Sequence, residues 1–314
     1  MPKPLTLCAA ICTYNRYDLL QLAVESLVRQ KDVSGRLAIL IVDNSPDEAG
    51  ALREMGRYKR VRNLRYVYES RPGLSNARNV AARETDAEVV AYLDDDAIAS
   101  EGWAAALLDA YDQFPQAGIV GGPVLPMWEE TRPVWLTDKL TPYVSVVDWG
   151  GASPRVAAPG EWFAGANISF RRKLVLDAEG FDTSLGRIGS GASLLSNEEI
   201  KLSEKIHAMG HHSVYAPAAT VDHLVEKARL RQSWFRRRVV WQATSDYLAS
   251  GGRDLTEQQA GWDWVLTFLS QCKPSDRSFR GLFVETESGK DFEDQLAALY
   301  NFAFNMLAGF PVGQ

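Results

Sequence analysis

Three aspartates, Asp94, Asp95 and Asp96, stand side by side directly after the apolar run VVAYL at residues 89–93. Each charge makes its neighbour harder to ionise, so such a triplet needs water or a cation to compensate it. If the backbone stays extended, Asp94 and Asp96 point to one side and Asp95 to the other. Two carboxylates in one small volume suit a hard divalent cation, which prefers oxygen ligands. The alternative is a solvated turn, where Asp is common.

Polar residues follow other apolar runs as well. Two such clusters are Thr13, Tyr14, Asn15 and Arg16 after residues 5–11, and Asp43, Asn44 and Ser45 after residues 37–42. Residues 64–68 and 89–93 are further apolar runs, and amphipathic stretches lie between the runs. Strands that alternate with helices predict an α/β protein with a mostly parallel central sheet flanked by helices. Ligands of such sheets bind beyond the carboxyl ends of the strands, so we expect the polar clusters to line one crevice.

The composition excludes several classes of protein. The chain has 314 residues, of which 46% are hydrophobic and 24% charged, as in soluble globular proteins. Its net charge of −6 argues against nucleic acid as the main partner, which requires a basic face. No apolar run approaches the roughly 20 residues of a membrane span, and the start lacks the features of a signal peptide. We therefore expect a cytoplasmic protein, either free or peripheral to the membrane. Cys8, Cys12 and Cys272 have no zinc or disulfide spacing.

Five motifs occur along the chain in the order CTYNR (12–16), IVDNS (41–45), GLSNARN (73–79), YLDDDA (92–97) and NEEIKL (197–202). Together they resemble the inverting glycosyltransferases of family 2, which have the GT-A fold and use nucleotide-diphosphate sugars. The resemblance implies a GT-A domain over residues 1–225. Residues 226–314 then form a C-terminal helical extension, because residues 258–308 show the spacing of two amphipathic helices.

The resemblance also implies a donor site. Asp43 would hold the base of the nucleotide, with a UDP-sugar as the first guess for the donor. Asp94 would face the ribose and the metal, and Asp96 would bind Mn²⁺ or Mg²⁺ directly. The implied nucleotide-binding residues are Thr13, Tyr14, Asn15, Arg16, Asp43, Arg78, Asp94 and Asp95. Some relatives carry a third metal ligand at the position of His223, although a lone histidine is also a common core residue. The chain has no Gly-rich phosphate loop, so the metal would take its place.

An acidic pair, Glu198 and Glu199, marks the acceptor side. In the family the second member is the general base, which assigns this role to Glu199, with Glu198 as the fallback. The family usually has Asp here, and Glu is longer by one methylene but can still accept a proton. The alternative is a helix capping box formed by Ser196 and Glu199.

Acceptor and partners are less defined. The acceptor would be a glycan, a lipid-linked sugar or a small molecule, and the C-terminal helices offer a contact for a homodimer. Gln232 is followed by Ser-Trp-Phe-Arg, which does not match the Q-x-x-R-W motif of processive synthases, so single addition is favoured. Five arginines within residues 229–238 either meet an anionic substrate or form a solvated helix face. A metal-dependent nucleotidyltransferase and a catalytically silent sugar-nucleotide binding module are the alternative functions.

Overall fold

The computed structural model describes residues 4–189, 193–250 and 254–309. The chain divides into two units. The first comprises Met1–Met127, Ser145–Ala192 and Glu198–Leu224, and the second comprises Trp128–Val144, Ser193–Asn197 and Val225–Gln314. The second unit thus includes two segments that precede the predicted C-terminal extension in the sequence.

Within the described residues the chain forms eleven strands: β1 Leu7–Thr13, β2 Leu37–Asp43, β3 Leu64–Tyr68, β4 Val89–Asp94, β5 Ala97–Ala99, β6 Ala117–Gly121, β7 Val124–Trp128, β8 Arg155–Val156, β9 Asn167–Arg171, β10 His212–Tyr215 and β11 Val221–Val225. The same residues form nine α-helices: α1 Tyr17–Val28, α2 Glu48–Tyr58, α3 Leu74–Glu84, α4 Trp103–Gln113, α5 Arg172–Asp177, α6 Glu198–Ala208, α7 Gln232–Ser250, α8 Leu255–Gln271 and α9 Gly289–Gly309. Short 3-10 helices lie at Asp138–Val144, Lys227–Arg229, Pro274–Asp276 and Phe279–Phe283.

An eight-stranded sheet in the order β3-β2-β1-β4-β9-β6-β10-β8 forms the framework of the first unit. β1 pairs in parallel with both β2 and β4, with Thr13 opposite Asp43 and Cys12 opposite Asp94. This register brings the carboxyl ends of the three strands to one edge of the sheet. β9 and β8 run antiparallel to their neighbours, and a second sheet has the order β5-β11-β7. The predicted α/β class with a mostly parallel sheet is confirmed.

Both faces of this sheet are buried, because the side chains of each strand alternate between two hydrophobic clusters. Leu7 and Ile11 belong to the cluster that includes residues of α1 and α4, whereas Cys8 and Ala10 belong to the one that includes residues of α3, α5 and α6. Burial raises the pKa of the Cys8 thiol to about 11 and that of Cys12 to about 12. Both thiols are therefore neutral packing groups.

The second unit is mainly helical. The two helices expected within residues 258–308 are present as α8 and α9. Arg236, one of the five clustered arginines, is 5% exposed and donates hydrogen bonds to Glu285 and Gln295 at 2.8 and 2.9 Å. Its side chain therefore holds α7 in place rather than facing solvent. Among the described helices, none combines the length and the apolar character needed to cross a membrane.

Candidate active site

The aspartate triplet lies in a tight turn rather than in an extended strand. β4 ends at Asp94, a turn covers Asp95 and Asp96, and β5 begins at Ala97. The condition of an extended triplet is therefore not met, because the chain turns here into β5, which pairs with β11. The turn is not solvated either: Asp95 and Asp96 are each 5% exposed. Something other than bulk water must compensate these charges.

Asp94 and Asp96 nevertheless converge, and His223 joins them. One oxygen from each carboxylate and one ring nitrogen of His223 lie within 4.8 Å of one another. The Nε2 atom of His223 lies 3.3 Å from Oδ1 of Asp96, and both side chains are 2% exposed. The pairing of β11 with β5 places His223 opposite Ala97, directly beside the turn. The three side chains form a cluster that is able to hold a metal ion.

The middle aspartate points to the first strand instead. The hydroxyl of Thr13 donates to Oδ2 of Asp95 at 2.7 Å. Arg16 lies between two carboxylates, because its Nη1 atom is 3.2 Å from Oδ1 of Asp95 and 2.9 Å from Oδ2 of Asp96. Burial, and then the neighbouring charge of Asp96, raises the pKa of Asp95 to about 7. Thr13 and Arg16 thus lie at the triplet, as expected for residues at the carboxyl end of a neighbouring strand.

Tyr14 and Asn15 lie between these two residues in the loop after β1. Asn15 is exposed and has a φ of 55°, in the left-handed region, where Asn is among the more tolerant residues. Its backbone N–H donates to the hydroxyl of Ser45 at 2.9 Å. This contact joins the loop after β1 to the loop after β2.

Asp43 is fully buried at the end of β2. Its Oδ2 atom accepts from the hydroxyls of Tyr17 and Tyr66 at 3.0 and 2.6 Å, and its Oδ1 atom accepts from the backbone N–H and the hydroxyl of Ser45 at 2.9 and 2.5 Å. Burial raises the pKa of Tyr17 to about 12 and that of Tyr66 further, so both hydroxyls remain donors. Each carboxylate oxygen has about two acceptor positions. A nucleobase N–H would therefore have to displace one of these donors, and the role of Asp43 stays a prediction.

Arg78 is 2% exposed and lies beneath the acidic residues. Its Nη1 atom donates to Oε1 of Glu198 at 2.8 Å, and its Nη2 atom donates to the carbonyl of Gly165 at 3.2 Å. Nη2 is also 3.6 Å from Oδ1 of Asp94. The guanidinium thus contacts both the aspartate turn and the acidic pair. Its predicted contact with the nucleotide would have to be made from an enclosed position.

The acidic pair opens α6, and its members differ in environment. Glu198 is 4% exposed and is paired with Arg78, whereas Glu199 is partly exposed. Each has an enclosed Oε2 atom without a hydrogen-bond partner among the described residues. Burial, and then the charge of Glu198, raises the pKa of Glu199 to about 7. A carboxylate with a pKa near the working pH is well suited to accept and release a proton.

The capping-box alternative for this segment is wrong. α6 begins at Glu198, which makes Glu199 its second residue and puts Ser196 one position too far from the helix to cap it. The hydroxyl of Ser196 hydrogen-bonds to Oδ1 of Asn197 and Oε1 of Gln242, each at 3.3 Å, instead of to α6. The Ser196–Glu199 capping box is therefore absent.

Three contacts at the site are not predicted by the sequence. Tyr17 and Tyr66 bind Asp43, and Gly165 accepts from Arg78. Tyr66 lies in β3 opposite Ile41. Its side chain reaches the end of β2 only because of that register, which the sequence does not reveal. The glycine in WFAGAN is the one signal in the sequence of a close approach, and the group that approaches is Arg78.

Comparison with known families defines the class of this protein. The family model of glycosyl transferase family 2 matches residues 8–174, which is more than half of the chain. The chain belongs to glycosyl transferase family 2. The resemblance carried by the five motifs is thereby confirmed, and this family-2 protein is a glycosyltransferase that depends on a nucleotide sugar.

Two curated relatives cover most of the chain. A glucosyl-dolichyl phosphate glucuronosyltransferase of Haloferax volcanii is 28% identical over 238 residues, which are 75% of this chain and 74% of that protein. The succinoglycan biosynthesis protein ExoM of Rhizobium meliloti is 27% identical over 232 residues, which are 73% of this chain and 70% of that protein.

Solved structures of similar fold also include glycosyltransferases. The mannosyltransferase PcManGT from Pyrobaculum calidifontis, in complex with GDP-Man and Mn²⁺, has a TM-score of 0.60 at 17% identity and covers 99% of this chain and 89% of its own. GalNAc-T7 with UDP, GalNAc and Mn²⁺ has a TM-score of 0.55 at 14% identity and covers 99% of this chain and 59% of its own. At these identities the likeness shows the fold, and the expected GT-A fold is confirmed.

Proposed function

We propose that this family-2 protein is a metal-dependent inverting glycosyltransferase. It moves one sugar from a nucleotide-diphosphate sugar, with UDP-sugars as first candidates, to a hydroxyl of a glycan, a lipid-linked sugar or a small molecule. The observation that carries this proposal is the placement of two groups on either side of one guanidinium. On one side lies the cluster of Asp94, Asp96 and His223, and on the other lies the acidic pair with Glu199.

The cluster fits a divalent metal. Two like charges and an imidazole within 4.8 Å of one another offer two oxygen ligands and one nitrogen ligand. Asp95 and Asp96 both contact Arg16, so two buried carboxylates lie against one guanidinium, and a divalent cation would add positive charge at this point. Mg²⁺ prefers an all-oxygen shell, so the nitrogen of His223 favours Mn²⁺. When bound, the metal would neutralise charge that develops on the leaving diphosphate.

The chain's own residues would hold the rest of the donor. Arg16 lies at the edge of the cluster and is able to turn its guanidinium to a phosphate oxygen, a geometry that favours bidentate hydrogen bonds. Asp43 would accept the base N–H in exchange for a tyrosine hydroxyl, since both tyrosines are neutral donors. Thr13 holds Asp95 in place while these contacts form. The remaining loop residues, Tyr14 and Asn15, would line the nucleotide.

The general base is Glu199 in this proposal. Glu198 is tied to Arg78, which balances its charge, whereas Glu199 keeps an unpaired oxygen and a pKa of about 7. The acceptor oxygen forms a bond with the anomeric carbon as the bond to the diphosphate breaks. The hydroxyl proton passes to Glu199, and the electron pair of the broken bond leaves with the diphosphate. One displacement of this kind inverts the anomeric configuration.

Single addition is supported by the environment of Gln232. The motif of processive synthases is absent from this position. The side-chain oxygen of Gln232 accepts a hydrogen bond from Nη2 of Arg236 at 3.0 Å, within the second unit. Both side chains are about 5% exposed, so they are occupied by packing.

A panel of UDP- and GDP-sugars tests this function. The protein is incubated with each donor, with Mn²⁺ or with EDTA, and release of the nucleoside diphosphate is measured. We expect slow hydrolysis of one donor that needs the metal. Proton NMR of the first sugar released should show the anomer opposite to that of the donor. Retention of configuration would overturn the inverting mechanism. Binding of a donor with no turnover in the presence of candidate acceptors would favour a silent binding module.

A further inference from the structure

Among the described residues of the first unit, Arg78 is the largest charged side chain in the core, and aromatic rings, carboxylates and a backbone carbonyl contact its guanidinium. Its ζ carbon lies 5.7 Å from the ring centroid of Tyr92 and 5.6 Å from that of Phe181. The hydroxyl of Tyr92 donates to the backbone carbonyl of Arg78 at 2.9 Å. Two aromatic rings thus hold both the guanidinium and the backbone from which it extends.

Gly165 is in close contact with the same guanidinium. A Cβ atom at this position would lie 2.3 Å from Nη2 of Arg78, closer than any normal contact. The glycine therefore makes room for the guanidinium, whose Nη2 atom donates to the carbonyl of the same residue at 3.2 Å. Its φ is not in the left-handed region, so space rather than backbone conformation requires a glycine here.

The guanidinium connects two parts of the site that are far apart in sequence. Its Nη1 atom reaches Glu198, 120 residues away at the start of α6, and its Nη2 atom reaches Asp94 at the end of β4. A planar guanidinium has donors in fixed directions, so it can set the distance between two carboxylates. A lysine ammonium is a single point on a flexible chain and lacks this span.

We propose that Arg78 is a positioning residue that fixes Asp94 on the donor side to Glu198 on the acceptor side, and that it does not contact the nucleotide. By binding Glu198, it also leaves Glu199 as the member of the pair that has no ion pair of 4 Å or less among the described residues. This inference rests on the proposed function, in which Asp94 is a metal ligand and Glu199 the base.

Two variants and a control test the proposal. Gly165→Ala keeps the guanidinium and its charge but pushes it from its place, and Arg78→Lys keeps the charge but removes the span. Gly56→Ala is the control, because a Cβ there meets no atom within 4 Å. For each protein the measurements are the melting temperature, kcat for donor hydrolysis, the Kd of Mn²⁺ by calorimetry, and the Kd of UDP and GDP without metal. If Arg78→Lys does not fold, Gly165→Ala carries the test.

A positioning role predicts one pattern. In both variants kcat should fall by about 10- to 100-fold and Mn²⁺ affinity by about tenfold, the usual loss when a group behind a metal ligand is changed. The Kd of the metal-free nucleotides should stay within about twofold of the wild type, because no nucleotide contact is lost. Gly56→Ala should match the wild type in kcat and in both affinities, and its melting temperature should be equal or somewhat higher, because alanine favours the helix in which Gly56 lies.

Other results would overturn the proposal in distinct ways. Weaker binding of metal-free nucleotides with unchanged kcat would make Arg78 a nucleotide ligand. Wild-type behaviour of Arg78→Lys would reduce its role to charge alone, and wild-type behaviour of both variants would leave it without a positioning role. A wild-type protein that neither binds Mn²⁺ nor hydrolyses any donor would instead refute the proposed function, and this inference would fall with it.

Discussion

Replacing Glu199 by glutamine should make the protein inactive and, above neutral pH, more stable. Burial raises the pKa of this carboxyl from its ordinary value of 4.5 to about 7. One pKa unit corresponds to about 1.36 kcal/mol, so ionised Glu199 costs the folded state about 3 kcal/mol. Below pH 4.5 the group is protonated in both the folded and unfolded states, and the cost is absent. It grows as the pH rises from 4.5 to about 7, because the unfolded protein releases the proton there while the folded protein keeps it, and it is constant at higher pH.

Glu199→Gln removes this charge and keeps the shape of the side chain. At pH 8 the variant should melt several degrees above the wild type, and at pH 4.5 the two should melt together. Its kcat should fall by roughly 10²–10⁴, because an amide cannot accept the acceptor proton, while donor affinity stays nearly unchanged. In the wild type, kcat/KM should fall below a pH of about 7 as Glu199 becomes protonated.

The assay combines melting curves at pH 4.5 and 8 with release of nucleoside diphosphate at saturating donor. Glu204→Gln is the matched control, since Glu204 is exposed on the same helix. It should alter neither property. Normal turnover by Glu199→Gln would remove the base from this position. A lower melting temperature at pH 8 would show that the carboxylate stabilises the fold, contrary to the raised pKa of this group.

Three further changes follow from the same contacts. Glu198→Gln should lower the free energy of unfolding by about 3 kcal/mol, because it removes the nearer of the two carboxylates that balance the buried charge of Arg78. An unchanged urea midpoint would contradict this. Asp43→Ala should weaken nucleoside diphosphate binding by about 1.5–3 kcal/mol in calorimetry and also lower stability. Tyr66→Phe keeps the carboxylate and should leave binding unchanged. Equal affinity of Asp43→Ala and the wild type would show that Asp43 does not bind the nucleotide. His223→Gln should weaken Mn²⁺ more than Mg²⁺, and an equal loss for both metals would argue against a nitrogen ligand.

The strands and their polar ends were open to prediction because their signals are local. Four apolar runs, at residues 5–11, 37–42, 64–68 and 89–93, correspond to β1 to β4 within two residues. Parallel strands end at the same edge of a sheet, so the clusters that follow them had to converge. The order of motifs then identified the family without any knowledge of the structure.

The details of the site depend on pairings that no local pattern contains. Whether the triplet is extended or turned depends on β5 pairing with β11, whose residues lie more than 120 positions later. The donors on Asp43 depend on the register of β3 against β2, which the composition of either strand leaves open. The burial of Arg78 depends on Gly165, 87 residues away. From the sequence alone, an arginine beside acidic motifs is equally consistent with a substrate ligand and with a buried structural residue. Distant pairing, not residue type, decides these roles.

The most direct test of the central claim is the Mn²⁺ dependence of donor hydrolysis by the wild type and by Asp96→Asn. Asparagine keeps the size of the side chain but removes the charge that a metal needs, and Asp96 lies in a turn whose other contacts remain. The account predicts that the wild type releases nucleoside diphosphate in proportion to bound Mn²⁺, and that Asp96→Asn folds but shows no stimulation by the metal. Equal activity of the two proteins, or full activity of the wild type in EDTA, would contradict it.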